Sequence, residues 1–196
     1  MDYLTQYAKD KVDLSEKELE EVASLFSKKS YKKGDELLSA GDTSSKFYYV
    51  SHGAMRTYSI DTTGHEQTWG LHVQNDKYVL DTFAGDFSHY YYKLESGIFI
   101  EAYTDSIIYE ADFEALDTLY ESSLNFMKLG LKIHQEQTAL LVQRIKMFKN
   151  LTATEKYLMM KSVAPMYEEM LANHQFATVL DITPQSLSRI KKELLL

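Results

Sequence analysis

The chain has 196 residues, 44% of them hydrophobic, which is enough for one large domain or two small ones with a packed core. It contains no cysteine, which excludes disulfides, thiolate zinc sites, Cys-ligated iron–sulfur clusters and cysteine nucleophiles. No apolar run could span a bilayer and no charged-then-apolar leader opens the chain. We therefore expect a soluble cytoplasmic protein with no membrane partner.

The charge is spread unevenly along the chain, whose formal net charge is −8. Residues 1–142 carry 13 Lys and Arg against 24 Asp and Glu, a balance of −11. Residues 143–196 carry 8 against 5, a balance of +3. This asymmetry suits a protein that approaches a nucleic-acid duplex with one end only.

The first predicted element is an amphipathic helix over residues 15–26. Ser15 and Glu18 have the spacing of a capping box, in which each side chain bonds the backbone N–H of the other residue. The apolar residues that follow recur at helical spacing, so one face of this helix should pack on the rest of the chain.

Residues 30–117 are predicted to form an antiparallel all-β sandwich or jelly roll. Gly and Asp recur at intervals of a strand plus a turn. Five segments are rich in residues that suit pleated surfaces, namely residues 47–51, 54–60, 67–73, 98–103 and 106–110. The aromatic group of Phe87 and residues 90–92 is expected to pack in the core and at its rim, and the alternative is a pocket wall.

A long helix is predicted from about residue 117 or 122 to residue 148. Apolar residues recur seven apart along it, at Phe126, Ile133, Leu140 and Met147. Such a repeat favours pairing with another helix, and Gly130 would let two backbones approach closely. The alternative is a helix that packs only on its own β-domain.

The end of the chain is predicted to be a small helical domain. Thr152 and Glu155 form a second capping box, so a helix should begin after Leu151. Residues 173–196 then fit a helix-turn-helix, the unit that lays a helix in the DNA major groove.

The helix-turn-helix prediction is geometric. Ala177 is small, as required where two helices cross closely, and Asp181 tolerates the left-handed backbone that such turns often need. Thr183 and Pro184 suit the N-cap and first position of the second helix. Leu187 and Ile190, three residues apart, form the inward apolar face of the second helix. The alternative is a helical hairpin with a solvated polar face.

The outward face of the last helix carries side chains that bond base edges and phosphates. Arg189 is the expected base contact, because a guanidinium matches the two acceptors of guanine. Gln185 and Ser186 lie near the helix start, where base contacts usually occur, and the later serine and lysines are expected on phosphates. The predicted DNA-binding residues are Thr183, Gln185, Ser186, Ser188, Arg189, Lys191 and Lys192.

This order of elements resembles the Crp/Fnr family of bacterial transcription regulators over nearly the whole chain. Residues 31–42 are similar to the family's opening β-hairpin with its two glycines, and residues 47–53 to the next strand and turn. Residues 151–157 resemble the hinge and first helix of the DNA domain. Residues 182–192 resemble the recognition helix of a branch with a shortened C-terminus and little or no β-wing.

The resemblance implies an α+β chain with three parts. These are an antiparallel β-roll like a cyclic-nucleotide-binding domain (1–116), a long dimerisation helix (117–149) and a winged-helix-like helix-turn-helix domain (150–196). It also implies a homodimer that binds double-stranded DNA in the bacterial cytoplasm and regulates transcription, with RNA polymerase as a candidate further partner.

The sequence departs from the members of the family that bind cyclic nucleotide. They hold the phosphate with a short helix carrying a Gly-Glu pair and a following Arg. In the equivalent residues 75–99, Gly85 is followed by Asp86, Arg is absent, and only Lys77 and Lys93 are positive. Because an anionic phosphate needs a fixed cation or free N–H donors, we predict no cyclic-nucleotide binding of the usual kind. No cofactor is predicted and the effector is unassigned.

The sequence also bears on two other classes of function. A metal-bound β-roll enzyme is disfavoured, because His65 and His72 are an odd number apart and a regular strand would point them to opposite faces. No catalytic or metal-binding residue is therefore predicted, and no enzymatic activity is expected. The alternative function is a β-roll that binds a small molecule or a partner, with weak or vestigial DNA binding.

Overall fold

The computed structural model describes residues 3–43, 45–74 and 82–194. The strands are β1 (Ser27–Tyr31), β2 (Glu36–Leu38), β3 (Lys46–His52), β4 (Ala54–Ile60), β5 (Glu66–Val73), β6 (Phe83–Ala84), β7 (Phe99–Ala102) and β8 (Ser106–Asp112). The helices are α1 (Tyr3–Lys11), α2 (Glu16–Ser24), α3 (Phe87–Tyr92), α4 (Phe113–Ser122), α5 (Leu124–Asn150), α6 (Ala153–Val163), α7 (Met166–Met170), α8 (Asn173–Val179) and α9 (Pro184–Leu194).

Two N-terminal helices lie against the β-roll. The capping box of α2 is confirmed, since Ser15 Oγ accepts from Glu18 N at 3.3 Å and the Glu18 carboxylate accepts from Ser15 N at 2.8 Å. The sequence did not predict α1. It packs through Leu4 and Ala8, which lie one turn apart and are both buried.

The strands form two four-stranded antiparallel sheets, in the orders β1-β8-β3-β6 and β2-β7-β4-β5. This arrangement confirms the antiparallel β-roll, and each of the five predicted strands is present with ends shifted by at most two residues. The prediction missed β1 as a strand. Its residues SKKSY are mostly exposed and show no alternation, so β1 is held by pairing with β8.

An aromatic core joins the N-terminal helices to the roll and to α4 and α5. The rings of Phe47 and Phe83 stack with centroids 4.9 Å apart, and that of Tyr90 stacks on Phe113 at 4.7 Å. The expectation of core and rim packing thus holds for Tyr90. By contrast, Tyr91 and its neighbour Tyr92 are exposed.

The long helix α5 uses its predicted apolar stripe inside its own chain. Phe126 and Ile133 are buried in the cluster that contains α1 and α4. A Cβ placed at Gly130 would lie 3.0 Å from the Tyr120 ring, so the lack of a side chain at Gly130 lets α4 pack closely against α5. The buried part of the stripe therefore packs on helices of the same chain, and dimerisation through α5 stays a prediction. Within the described residues, no helix is both long and apolar enough to cross a membrane.

The C-terminal helices share one hydrophobic cluster with the roll. Ala54, Leu71 and Val73 of β4 and β5 are buried in the same cluster as Phe176 and Leu180. The second capping box is also confirmed, with Thr152 at the N-cap of α6. Because the cluster spans both parts, the roll supplies one wall of the core beneath α8 and α9.

Candidate nucleic-acid interface

The turn between α8 and α9 has the predicted backbone. Asp181 adopts the left-handed conformation with φ 54°, and Ile182 N bonds back to Ala177 O at 3.1 Å, closing the turn. Ala177 is fully buried where the helices approach each other. The inward face is apolar, with Leu187 and Ile190 buried.

The start of α9 is fixed by the cap that the sequence predicted. Thr183 Oγ1 accepts a hydrogen bond from Ser186 N at 3.2 Å and donates one to Ser186 Oγ at 2.9 Å. These two hydroxyls therefore hold the first turn in place, and Gln185 between them is exposed.

The outward face of α9 is open to solvent. Gln185, Ser188, Arg189 and Lys192 are exposed, and Ser188 Oγ donates to Pro184 O at 2.9 Å. Arg189 Nε lies 3.9 Å from a Glu193 carboxylate oxygen, and its side chain is 74% exposed. Such an exposed pair is weak, so the guanidinium is available to a ligand.

Lys191 departs from the expectation of a phosphate contact. Its ammonium lies 3.0 Å from Glu168 Oε1 on α7 and over the ring of Phe176. Partial burial works to raise the pKa of Glu168, but hydrogen bonds from Lys191 and Tyr157 outweigh it and hold this pKa below its ordinary value. Lys191 thus ties α9 to α7.

The open edge of β5 contacts α7 and α8. In the sheet order of the described strands β5 lies outermost, so one side of its backbone is free of strand partners. Thr68 N donates to Thr178 Oγ1 at 3.0 Å, and Leu71 N donates to the Tyr167 hydroxyl at 2.9 Å. No pattern in the sequence signals these contacts, which join residues 96 and 110 positions apart.

A cavity of about 450 Å³ lies between the β-roll and α5. Its lining includes the aromatic side chains of Trp69, Phe83 and Phe87, together with His134 and Arg144 of α5. The volume lies within the range of small-molecule sites, about 300–1,000 Å³. Phe87 therefore supports the alternative of a pocket wall for the aromatic group.

His65 and His72 lie in different surroundings. His65 is exposed, whereas His72 is buried with Nε2 2.8 Å from Thr57 Oγ1. Across the part of the chain that the structure describes, no group of three His, Asp or Glu side chains could hold a metal ion.

The segment equivalent to the family's phosphate-binding stretch is only partly described. Asp76, Lys77 and Asp81 lie outside the described residues. Asp86 caps α3 by accepting from His89 N at 3.0 Å. Burial works to raise the pKa of Asp86, but its hydrogen bonds, Ser88 foremost, hold this pKa below the ordinary value. A carboxylate thus occupies the start of this short helix.

A second stripe on α5 faces solvent. Its members repeat with the alternating three- and four-residue spacing of a helix-pairing face. They are Leu124, Met127, Leu131, His134, Thr138, Leu141 and Ile145. The apolar members expose 45–65% of their surface.

Comparisons with known proteins agree with this architecture. No protein-family model matches the chain. The fumarate and nitrate reduction regulatory protein of Vibrio cholerae is 31% identical over 107 residues, which are 54% of this chain and 40% of that protein. The Escherichia coli protein of the same name is 31% identical over the same shares. The match thus spans about two fifths of the length of these curated relatives.

Solved structures share the fold over more of the chain. FixK2 from Bradyrhizobium japonicum has a TM-score of 0.64 at 18% identity, covering 87% of this chain and 84% of its own. The c-di-GMP responsive regulator CLP of Xanthomonas campestris has a TM-score of 0.65 at 15% identity, covering 92% of each chain. The chain thus shares local sequence similarity with these regulatory proteins and the fold of FixK2 and CLP, in agreement with its resemblance to the Crp/Fnr family.

Proposed function

We propose that this protein is a homodimeric, sequence-specific DNA-binding regulator of transcription. The observation that carries the proposal is the last helix pair, in which Leu187 and Ile190 are buried while Arg189 points to solvent. Residues 150–196 would bind DNA, residues 117–149 would pair the chains and residues 1–116 would form the sensor-like roll. Such a regulator would act in the bacterial cytoplasm and would meet RNA polymerase at promoters.

The structure supports different roles for the predicted contact residues. Arg189 and Gln185 are exposed near the start and middle of α9, so we assign them to base edges. Ser188 and Lys192 are assigned to phosphates. Thr183 and Ser186 form the cap of α9. Lys191 is no longer assigned to DNA, because its ammonium is bound to Glu168.

The dimer face is assigned to the exposed stripe of α5. Pairing two α5 helices through Leu131 and its neighbours would remove apolar side chains from water. A two-fold axis along this helix pair would place two α9 helices on one face of a duplex. A separation of about 34 Å, one turn of DNA, would then demand a near-palindromic site.

The direct test is selection of duplexes from a random pool by the purified chain, followed by fluorescence anisotropy of the selected duplex over a range of salt. A near-palindromic motif is expected, with an affinity that falls linearly in log–log form as salt rises. A dimer that selects no motif and shows no salt-sensitive affinity would contradict the proposal.

A second function, small-molecule binding, is favoured by the cavity against α5. It has a volume of about 450 Å³ and aromatic walls with one guanidinium, that of Arg144. Thermal-shift screening of small aromatic acids and nucleotides would test it, with Trp69 fluorescence as a second signal. Because residues 75–99 lack Arg, cyclic AMP and cyclic GMP are expected to give no shift.

A further inference from the structure

The outer edge of β5 is satisfied by side chains in place of another strand. Thr178 Oγ1 accepts from Thr68 N, and the Tyr167 hydroxyl accepts from Leu71 N and donates to Leu71 O at 3.2 Å. Edge groups left without partners in a buried setting would be unfavourable. We call this set of contacts the β5 dock.

The β5 dock is completed by polar and apolar contacts on both sides. Gln67 Nε2 donates to Thr178 O at 2.6 Å, and Tyr103 OH donates to Gln175 Oε1 at 2.7 Å. Leu71 is fully buried in the cluster shared with the helical domain. Contacts at several points along one edge thus hold the helical domain on the roll in the observed orientation.

The β5 dock leaves the DNA-facing surface free. Thr178 is on α8, whereas the exposed Gln185, Arg189 and Lys192 are on α9. The same strand is also fixed to the long helix, because Arg144 Nη1 donates to Trp69 O at 2.5 Å. The β5 dock therefore sets where α9 lies relative to α5. It does not cover the DNA-facing surface of α9.

We propose that the β5 dock determines the half-site spacing that the dimer accepts, with Thr178 and Tyr167 as positioning residues. This rests on the proposed function. Two α9 helices held rigidly on their rolls have one separation and one relative rotation. Each base pair added between half-sites changes both quantities, so a rigid dimer discriminates strongly between spacings. Release of the dock would let each helical domain swing on the residues between α5 and α6.

The test uses Thr178→Val and Tyr167→Phe, singly and together, in the full-length dimer. Both changes keep side-chain volume and remove the bonding hydroxyl. Two variants serve as controls. Thr178→Ser keeps the hydroxyl that bonds β5, and Tyr157→Phe removes a hydroxyl that bonds Glu168 instead of β5. Anisotropy is measured on the selected duplex, on a single half-site, and on duplexes whose half-site separation varies in single-base-pair steps.

The double variant is expected to bind the selected duplex about tenfold more weakly, with half-site affinity unchanged and a flattened spacing profile. Thr178→Ser and Tyr157→Phe should match the wild type. In hydrogen exchange without DNA, the amides of Thr68 and Leu71 should exchange about tenfold faster in the double variant.

A double variant that stays folded and keeps the wild-type spacing profile would overturn the proposal while leaving DNA binding intact. Equal loss on half-site and full site would also overturn it, because that pattern indicates a damaged helix pair. A wild-type chain that selects no duplex would overturn the proposed function, and this proposal with it. If the double variant does not fold, the spacing profiles of the two single variants test the proposal by the same criterion.

Discussion

Arg144 on α5 donates a hydrogen bond from Nη1 to the main-chain oxygen of Trp69 on β5, 2.5 Å away. Trp69 sits where the β4–β5 register shifts, since Thr57 pairs with Gly70 and Tyr58 with Thr68. The shift turns its indole outward, so that the chain's single tryptophan is 53% exposed beside the long helix.

Replacing this guanidinium should loosen the long helix from the roll. We expect Arg144→Ala to lower the free energy of unfolding by about 1 kcal/mol, since the bond is charge-assisted but exposed to solvent. Trp69 emission should shift as its surroundings change. Urea titration followed by fluorescence measures both effects. Lys146→Ala, at an exposed position on α5, is the matched control and should change neither.

The left-handed turn gives a second prediction. Asp181 has φ 54°, a conformation that Ala reaches only at a cost of about 1 kcal/mol. Asp181→Ala should therefore be less stable by about that amount in urea unfolding, whereas Asp181→Gly should be close to neutral. Equal stability of the two variants would show that the backbone at this turn relaxes freely.

Local signals in the sequence were enough for the caps and the turn. Ser15, Thr152 and Asp181 act on residues within a few positions of themselves, so their type and spacing determine what they do. Strand positions were also predictable, because β-rich segments alternate with Gly and Asp punctuation.

Long-range partners were not predictable. Lys191 pairs with Glu168, and Thr178 caps the edge of β5, because the fold brings these distant segments together. The face of α5 was ambiguous for a related reason. Apolar residues recur seven apart in more than one frame, and only the packing of α1 and α4 decides which frame is buried.

The exposed stripe of α5 gives a third prediction. Leu131→Asp should weaken dimerisation by at least about a hundredfold. In the proposed dimer both copies of Leu131 would be buried in one interface, and the variant would place two charges there. Analytical ultracentrifugation over a concentration series measures this. Leu158→Asp places the same charge at an exposed position on α6 and should leave the dimer intact. A dimer equally stable in both variants would place the interface elsewhere.

The outward face of α9 gives a fourth prediction. Arg189→Ala should weaken binding to the selected duplex by about 1–3 kcal/mol and relax preference at one base pair of each half-site. Lys192→Ala should weaken all duplexes alike and reduce the salt slope by about 1. Lys191→Ala should instead lower folding stability, because its partner is Glu168. Anisotropy on matched and mismatched duplexes separates these effects.

A buried carboxylate in the roll gives a prediction about pH. Glu110 is 3% exposed and accepts from Tyr31, from Lys29 at 2.9 Å and from Lys46 at 3.0 Å. Burial works to raise the pKa of Glu110, but these bonds outweigh it and hold the pKa below its ordinary value. A carboxyl with a lowered folded pKa stabilises the fold above its unfolded pKa, about 4.3, and loses that contribution as pH falls.

Glu110→Gln should therefore be less stable than the wild type at neutral pH, and the difference should shrink as pH falls below about 4. Urea unfolding of both proteins across this range measures the difference directly. Glu114→Gln, at an exposed position on α4, should give a small difference with little pH dependence. If the difference for Glu110→Gln stayed constant down to acid unfolding, shape and hydrogen-bond geometry would explain it. The charge of Glu110 would then contribute nothing net to the fold.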